Sequence, residues 1–358
     1  MRNNIRLVFL AGGAVVLLYF MYVRMTESGS VQLDSGHRVV MGTFSRVVVI
    51  ADSERRAKRC VEAAFEVQRR IEELMSYHSS DSELSRVNRE AADRPVPVNP
   101  MTFEVLQESV EFSKLTDGAF DVTVGPLVDL WKAAGEANEP PTEQALAEAR
   151  AKVGYEKLIL DEKTMTVRFA VRGMRVDLGG IGKGYAVDKA VEAMMNKKAV
   201  GGMVDLGGNI RCFGKPPRGQ EHWKIGLQDP NVSPDEMDSS KILMVLAITD
   251  QSVATSGDYR RFVDVQGIKQ SHIIDTGTGK GANKLVSDTI IAPDATTADA
   301  LSTAVNVLGP QAGLALIERL PATEAILIPA GKDTRPIFSR GAKAYIPLSQ
   351  GTVRPDGK

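Results

Sequence analysis

The chain has 358 residues, of which 43% are hydrophobic and 25% charged, with a formal net charge of -1 at pH 7. That is globular composition, long enough for one large domain or two small ones. With no long basic run, it excludes a nucleic-acid-binding footprint. Two cysteines, Cys60 and Cys212, are too few for a disulfide framework or a cysteine metal site, and they pair once or not at all.

Arg2 and Arg6 precede Leu7–Val23, a run of seventeen residues without a charge, and Arg24 closes it. The run is long for a signal peptide and just long enough to span a bilayer. Ser28-Gly29-Ser30 is a weak cleavage site, so an uncleaved signal anchor is expected over residues 1–30. No cysteine stands nearby, which rules out a lipoprotein anchor. The flanking charges favour the amino terminus inside and the body outside.

A polar linker, Thr26–Gly36, leads to a strand over His37–Ala51 with a break at Met41-Gly42-Thr43. Asp52 or Ser53 caps a helix reaching about Leu74, with Ala57, Cys60, Val61, Ala64, Phe65, Val67 and Ile71 on its apolar side. A polar run, Ser76–Ser82, follows. It places Tyr77 and His78 at a helix exit, as ligand contacts or as a half-buried surface pair. Ser82–Asn88 reads as a short helix and Arg94–Pro100 as extended. Asn99-Pro100 starts a helix that ends at Asp117-Gly118. Ala119–Pro126 is an apolar loop interrupted by Asp121, and a helix follows to about Trp131. Glu136–Thr142 is a loop and Glu143–Lys152 a helix. Leu158–Leu160, Thr166–Val171 and Met174–Leu178 read as short strands.

Next, Gly179, Gly180, Gly182 and Gly184 surround Lys183, and a helical pattern begins at Tyr185. A strand, a glycine loop and a helix start suit a phosphate or pyrophosphate. The loop is neither a Walker A motif nor a dinucleotide fingerprint, and a plain tight turn also fits. Val-Asp-Leu-Gly-Gly occurs at 176–180 and again at 204–208, which suggests two glycine turns facing one crevice. Trp223–Gln228, Ile242–Ile248 and Tyr259–Val265 read as strands, with a hydroxyl-rich stretch, Ser252–Asp258, between the last two. Ser271–Asp275 sets His272 beside apolar residues. Thr276–Gly279 is a turn and Leu285–Ala292 a strand. On the helix Pro293–Leu308, Asp299, Ser302 and Thr303 fall at i, i+3 and i+4. Such oxygens either serve a hard cation or form a polar face bonded to the backbone. The tail, Gln311–Lys358, reads as one helix and three short strands. Helices dominate the first half and strands the second, without a linker, so residues 31–358 are expected to form one α+β domain.

Several ordered motifs resemble the ApbE family of FAD:protein FMN transferases. They are Met41-Gly42-Thr43, Met75-Ser76-Tyr77, Asp81–Asn88, Gly118–Pro126, Val176–Gly184, Val204–Asn209, Trp223–Pro230, Ala254–Tyr259, Ser271–Asp275 and Ala298–Leu308. The resemblance implies an α+β fold related to the T-fold. It implies transfer of FMN from FAD to a Thr or Ser of another protein, with release of AMP. Met41, Tyr77, Ala119, Phe120, Asp121, Asp177, Lys183 and Ile274 would then contact FAD. Mg²⁺ would be held by the Gly180 carbonyl, Asp299 and Thr303, with Ser302 a further ligand, and His272 would be the general base. The implied acceptors carry a Ser/Thr-Gly-Ala-Thr/Ser motif, as in subunits of sodium-pumping quinone reductase (Nqr) or its Rnf relatives. The implied location is the bacterial inner membrane, facing the periplasm. A FAD pyrophosphatase and a non-catalytic FAD-binding protein are the competing readings. Thr276 stands where the family has Pro, which predicts a less rigid turn.

Overall fold

The computed structural model describes residues 30–230, 242–257 and 262–347. The expected anchor, the start of the Tyr259 strand and the end of the tail lie outside them. Among the described residues no helix is long and apolar enough to cross a membrane.

Eight strands form the main sheet: β1 (Val31–Val40), β2 (Thr43–Ala51), β3 (Gly201–Leu206), β4 (Asn209–Gly214), β5 (Ser252–Gly257), β6 (Leu285–Ala292), β7 (Glu324–Pro329) and β8 (Ile337–Phe338). They lie side by side in chain order, and every neighbouring pair is antiparallel. The break expected at Met41 is a two-residue hairpin turn, with φ of 52° at Met41 and 67° at Gly42. The linker is shorter than expected, because β1 already pairs at Val31 with Ala51. Among its described residues the tail holds two strands and a 3₁₀ turn, Ala342–Tyr345.

Among the described residues eight helices complete the frame: α1 (Glu54–Met75), α2 (Glu83–Glu90), α3 (Pro100–Leu115), α4 (Gly125–Ala137), α5 (Glu143–Arg150), α6 (Gly182–Asn196), α7 (Ala295–Leu308) and α8 (Pro310–Ile317). Ser53, Ser82 and Asn99 cap α1, α2 and α3 by accepting from Arg56, Ser85 and Met101 amides. Each such cap is worth roughly 1 kcal/mol. The helix after Pro126 runs to Ala137, beyond Trp131, and closes on a left-handed Asn138.

Period-two alternation sorts the sheet's side chains onto two faces. Val47, Val49, Ala254, Ile290 and Leu327 join the core under α1, α6 and α7. Val48, Ile50, Val253, Ile291 and Ile326 face the other way, under the ribbon Trp223–Gln228 with Ile242–Ile248. Phe65 and Leu301 are fully buried in the larger core, where each contributes roughly 2 kcal/mol by area removed from water. Cys60 and Cys212 belong to opposite faces, and both are free.

A polar pocket of about 340 Å³ lies beside α3 and α6. In it the Glu108 Oε2 is buried without a hydrogen-bond partner. Burial, aided by the charges of Glu104 and Asp294, pushes the carboxyl up to about 7. A carboxyl raised on folding contributes stability below its unfolded value near 4.5, and that contribution disappears as pH rises through 7. Glu108→Gln should therefore stabilise the fold at pH 8 by about 1–2 kcal/mol after solvent screening, with little effect at pH 4. Denaturant titrations at the two pH values check this, and an equal shift at both would refute it.

Candidate functional site

One end of the sheet gathers the turns that shape the site. The β1–β2 tip, the β3–β4 turn at Gly207-Gly208, the end of β5 and the start of β6 all lie there by register. The glycine loop reaches this end from an unexpected structure. Met174–Leu178 is not a strand, although it is extended. Its polar groups are met outside a ladder: Asn88 accepts from Val176 N at 2.7 Å and donates to Val176 O at 2.9 Å. Asp177 N donates to Val122 O at 2.7 Å, and one parallel bridge joins Arg175 to Val124. Side-chain and loop partners thus replace the neighbouring strand that sequence pattern alone assumes.

Helix α6 starts at Gly182, three residues earlier than the apolar pattern indicates. Gly182, Lys183 and Gly184 therefore form its first turn. Two glycines are fixed by close approach. A Cβ on Gly184 would lie 2.1 Å from Ala295 O, and one on Gly180 would lie 2.8 Å from Thr303 Oγ1. These contacts seat α7 directly against the loop.

The charged centre follows from that seating. Lys183 Nζ lies 3.0 and 3.4 Å from the two Asp299 carboxylate oxygens. Gly184 N donates to Asp299 Oδ2 at 2.9 Å, so this amide faces the carboxylate and not a phosphate. Thr303 Oγ1 sits 3.3 Å from Gly180 O. Asn209, with its amide turned to suit both neighbours, donates to Asp299 Oδ1 at 3.1 Å and accepts from Lys183 Nζ at 2.9 Å. Asp299 is 3% exposed, and Lys183 supplies its countercharge. The two Val-Asp-Leu-Gly-Gly turns do face each other: Lys183 follows the first and Asn209 the second. In each, the aspartate accepts from a glycine amide of its own turn, Asp177 from Gly179 and Asp205 from Gly208.

Ser302 is placed differently. At i+3 it projects to the other side of Asp299 from Thr303. It is fully buried, with its hydroxyl 2.6 Å from Asp288 Oδ1 and 2.7 Å from Ser256 Oγ. Ser256 lies on β5, a strand within the sheet that sequence reading left as a hydroxyl-rich connection. Its small side chains pass beneath α7.

A second wall is built on Tyr77. Its hydroxyl donates to Asp129 Oδ1 at 2.8 Å, and Asp129 Oδ2 pairs with Arg175 at 2.8 Å. The Arg175 guanidinium lies 5.0 Å from the Tyr77 ring centroid. Burial, then the Asp129 bond, pushes the phenol far above its ordinary value, so it remains a donor. Burial also pushes the Asp177 carboxyl up, against the pull of the Gly179 amide.

Residues 41–327 match the family model described as the ApbE family. The chain belongs to the ApbE family. It is 36% identical over 259 residues to the FAD:protein FMN transferase of Vibrio cholerae serotype O1, covering 71% of this chain and 75% of that relative. It is 33% identical over 313 residues to the FAD:protein FMN transferase of Treponema pallidum, covering 83% and 84%. Among solved structures, the ApbE protein from Thermotoga maritima superposes with a TM-score of 0.77 at 32% identity, covering 89% of this chain and 99% of that one. The flavin transferase ApbE from Vibrio cholerae gives 0.73 at 31% identity, covering 88% and 99%. The mixed α/β ApbE fold expected from the motifs is thereby shown.

Of the remaining residues singled out by the ApbE motifs, Phe120 and Met41 meet the glycine loop. The Phe120 ring edge packs near Gly180, and the Met41 methyl lies over Gly182. Ala119 and Asp121 line a cleft of about 860 Å³, with Tyr155, Lys284, Asp275 and Thr276 among its other walls. The Asp121 carboxylate is committed to the loop, accepting from Thr123 N, Thr123 Oγ1 and Tyr155 N. Ile274 is buried against Leu127 and Trp131. His272 is exposed two residues away. The turn expected to be loose at Thr276 is tied down, because Thr276 Oγ1 donates to Gly118 O at 2.9 Å and Asp275 caps Gly277 N at 2.8 Å. Sequence reasoning missed Asn209, Asp129, Arg175 and Asn88. Arg175 immediately precedes the first glycine motif and Asn209 follows the second, the one signal that could have found them.

The donor set suits a hard cation. The Gly180 carbonyl, Thr303 hydroxyl and Asp299 carboxylate offer oxygens only, and Gly180 and Thr303 are within hydrogen-bond distance. Among the described residues no three His, Cys, Asp or Glu side chains gather to hold a metal. One carboxylate with neutral oxygens is the pattern of Mg²⁺, which keeps waters and shares substrate phosphates.

Proposed function

We propose that this ApbE-family enzyme is an Mg²⁺-dependent FAD:protein FMN transferase. The observation that carries the proposal is Asp299, held by Lys183, Asn209 and the Gly184 amide, on the helix whose next turn sets Thr303 beside the Gly180 carbonyl. The names of its relatives support the substrate. FAD would lie with its flavin toward Tyr77 and its diphosphate at the glycine loop, where Lys183 offers a cation. Its remainder has the Ala119–Asp121 cleft to enter.

Mg²⁺, when bound at Gly180, Asp299 and Thr303, supplies charge neutralisation on the phosphate oxygens. The protein then contributes position. The acceptor hydroxyl oxygen attacks the phosphorus of the FMN half, the bond from that phosphorus to the bridging oxygen breaks, and AMP leaves with that oxygen. His272, exposed beside the cleft wall, takes the hydroxyl proton. An exposed base suits an acceptor presented by another protein. The finer reading is an acceptor with a Ser/Thr-Gly-Ala-Thr/Ser motif, of the Nqr or Rnf kind, met at the periplasmic face of a bacterial inner membrane to which residues 1–30 anchor the enzyme. Protease accessibility in spheroplasts tests that orientation.

Incubating the protein with FAD, Mg²⁺ and an acceptor peptide of that motif tests the chemistry. Protein- or peptide-bound flavin fluorescence supports transfer, free FMN indicates hydrolysis, and neither product leaves a binding role. His272→Ala should slow transfer by about 10²–10⁴-fold while FAD still binds. Loss of FAD binding instead would assign His272 a structural role.

A further inference from the structure

Asp188 stands one helical turn beyond Lys183 on α6, outside the charged centre, yet it is only 6% exposed. Its Oδ1 accepts from Ala295 N at 2.9 Å and from Arg211 Nη1 at 2.6 Å. Its Oδ2 accepts from Thr296 N at 2.8 Å and Thr296 Oγ1 at 2.6 Å. Four donors from two other elements thus converge on this one carboxylate. Asp188 is not the N-cap of α7, since Asp294 fills that position and accepts from Thr297 N at 2.7 Å. Asp188 belongs to a different helix, and it binds the first two amides of α7.

The spacing gives this bond its meaning. On α7, Ala295 precedes Asp299 by one turn. On α6, Lys183 and Gly184 precede Asp188 by about one turn. The two helices are therefore cross-linked twice, by Asp188 to Ala295 and Thr296, and by Lys183 and Gly184 to Asp299. Between them, Gly184 lets the Ala295 carbonyl approach without a side chain in the way. The third member, Arg211, lies on β4 two residues after Asn209, which itself bonds Asp299 and Lys183. Each of the three elements thus carries at least one residue of the charged centre and at least one of the Asp188 cluster. A single cross-link lets helices slide or pivot. Two links a turn apart fix their register.

We infer that Asp188, held by Arg211, is the positioning residue that sets α7 against α6 and so presents Asp299 and Thr303 to the cation. The inference rests on the proposed Mg²⁺ site. Asp188→Asn preserves shape but replaces an acceptor oxygen with an N–H₂ that faces donors, so it breaks at least one pair of bonds. Thr296→Val, a milder change, removes only the hydroxyl bond.

Both variants are to be made in the full chain and titrated with Mg²⁺ by calorimetry in the presence of saturating FAD, beside FAD titrations followed by flavin fluorescence. Asp188→Asn is expected to weaken Mg²⁺ binding tenfold or more, and Thr296→Val about threefold, with FAD affinity changed less than threefold. Asp188→Glu, which retains the charge, should recover part of the loss. If both variants bind Mg²⁺ as the wild type does, even with lowered melting temperatures, the clamp is only structural and the inference is overturned. If Mg²⁺ and FAD binding fall together, Asp188 supports the whole loop and not the cation side, which also overturns it. A wild type that binds FAD but no Mg²⁺ removes the proposed site and this inference with it.

Discussion

Asp299→Ala is expected to lower Mg²⁺-dependent AMP release from FAD by on the order of 10³-fold, the scale of removing one charge-stabilising group from a water-excluded site. The carboxylate bonds Lys183, Asn209 and the Gly184 amide together. Its loss leaves the Gly180 carbonyl and Thr303 hydroxyl, two neutral oxygens, to hold a divalent ion. The fold should survive. Lys183 is 26% exposed at its side chain and can turn to water, whereas a fully buried orphan charge would cost several kcal/mol. Rapid quench of AMP release, with a melting curve on the same sample, separates the two effects. Unchanged turnover would remove Asp299 as a ligand.

Gly184→Ala should be the most destabilising small substitution in the site. On helix propensity alone it gains about 1 kcal/mol, since alanine is the better helix former. Sterics outweigh that gain. The new Cβ would lie 2.1 Å from Ala295 O and 2.8 Å from the Asp299 Cβ, and backbone carbonyls cannot rotate aside. Helices α6 and α7 would have to part by more than 1 Å, at about 3 kcal/mol or more, beyond ordinary overpacking. Thermal unfolding should fall by on the order of 10 °C. A stabilised variant would show that the helices do not meet as closely as described.

Local chemistry made much of this legible in the sequence. Ser53, Ser82 and Asn99 each sit where a helix starts, because a side-chain oxygen reaching its own backbone needs no distant partner. Asp299 and Thr303 share a helix face for the same local reason. Lys183 was identified by its glycines, although the first turn of α6 hid among them. Long-range pairing was not legible. Met174–Leu178 has the composition of a strand and finds Asn88 and the Val122 carbonyl in place of a neighbour. Ser252–Gly257 has the composition of a turn and lies within the sheet, because α7 leaves room there only for small side chains. Asn209 gains its role from a hairpin that meets a loop about thirty residues earlier in the chain. The place of Asp129 depends on Tyr77 arriving from another helix end.

The sheet's chain-order arrangement has a consequence for how the molecule assembles. Within β3–β8 each strand pairs with the next one along the chain, and β1 meets β2 through a two-residue turn. The longest connection is the one from Ala51 to Gly201, which encloses α1–α6 and both Tyr77 and the glycine loop. Closing so long a segment costs roughly 2 kcal/mol more than closing a ten-residue one, because the entropy grows only with the logarithm of length. The penalty is kinetic more than thermodynamic. Ile50 pairs with Gly201 only across that closed segment, so the β1–β2 tip and the glycine loop come into register through the same closure. The glycine loop and the completed sheet thus depend on one and the same long-range closure.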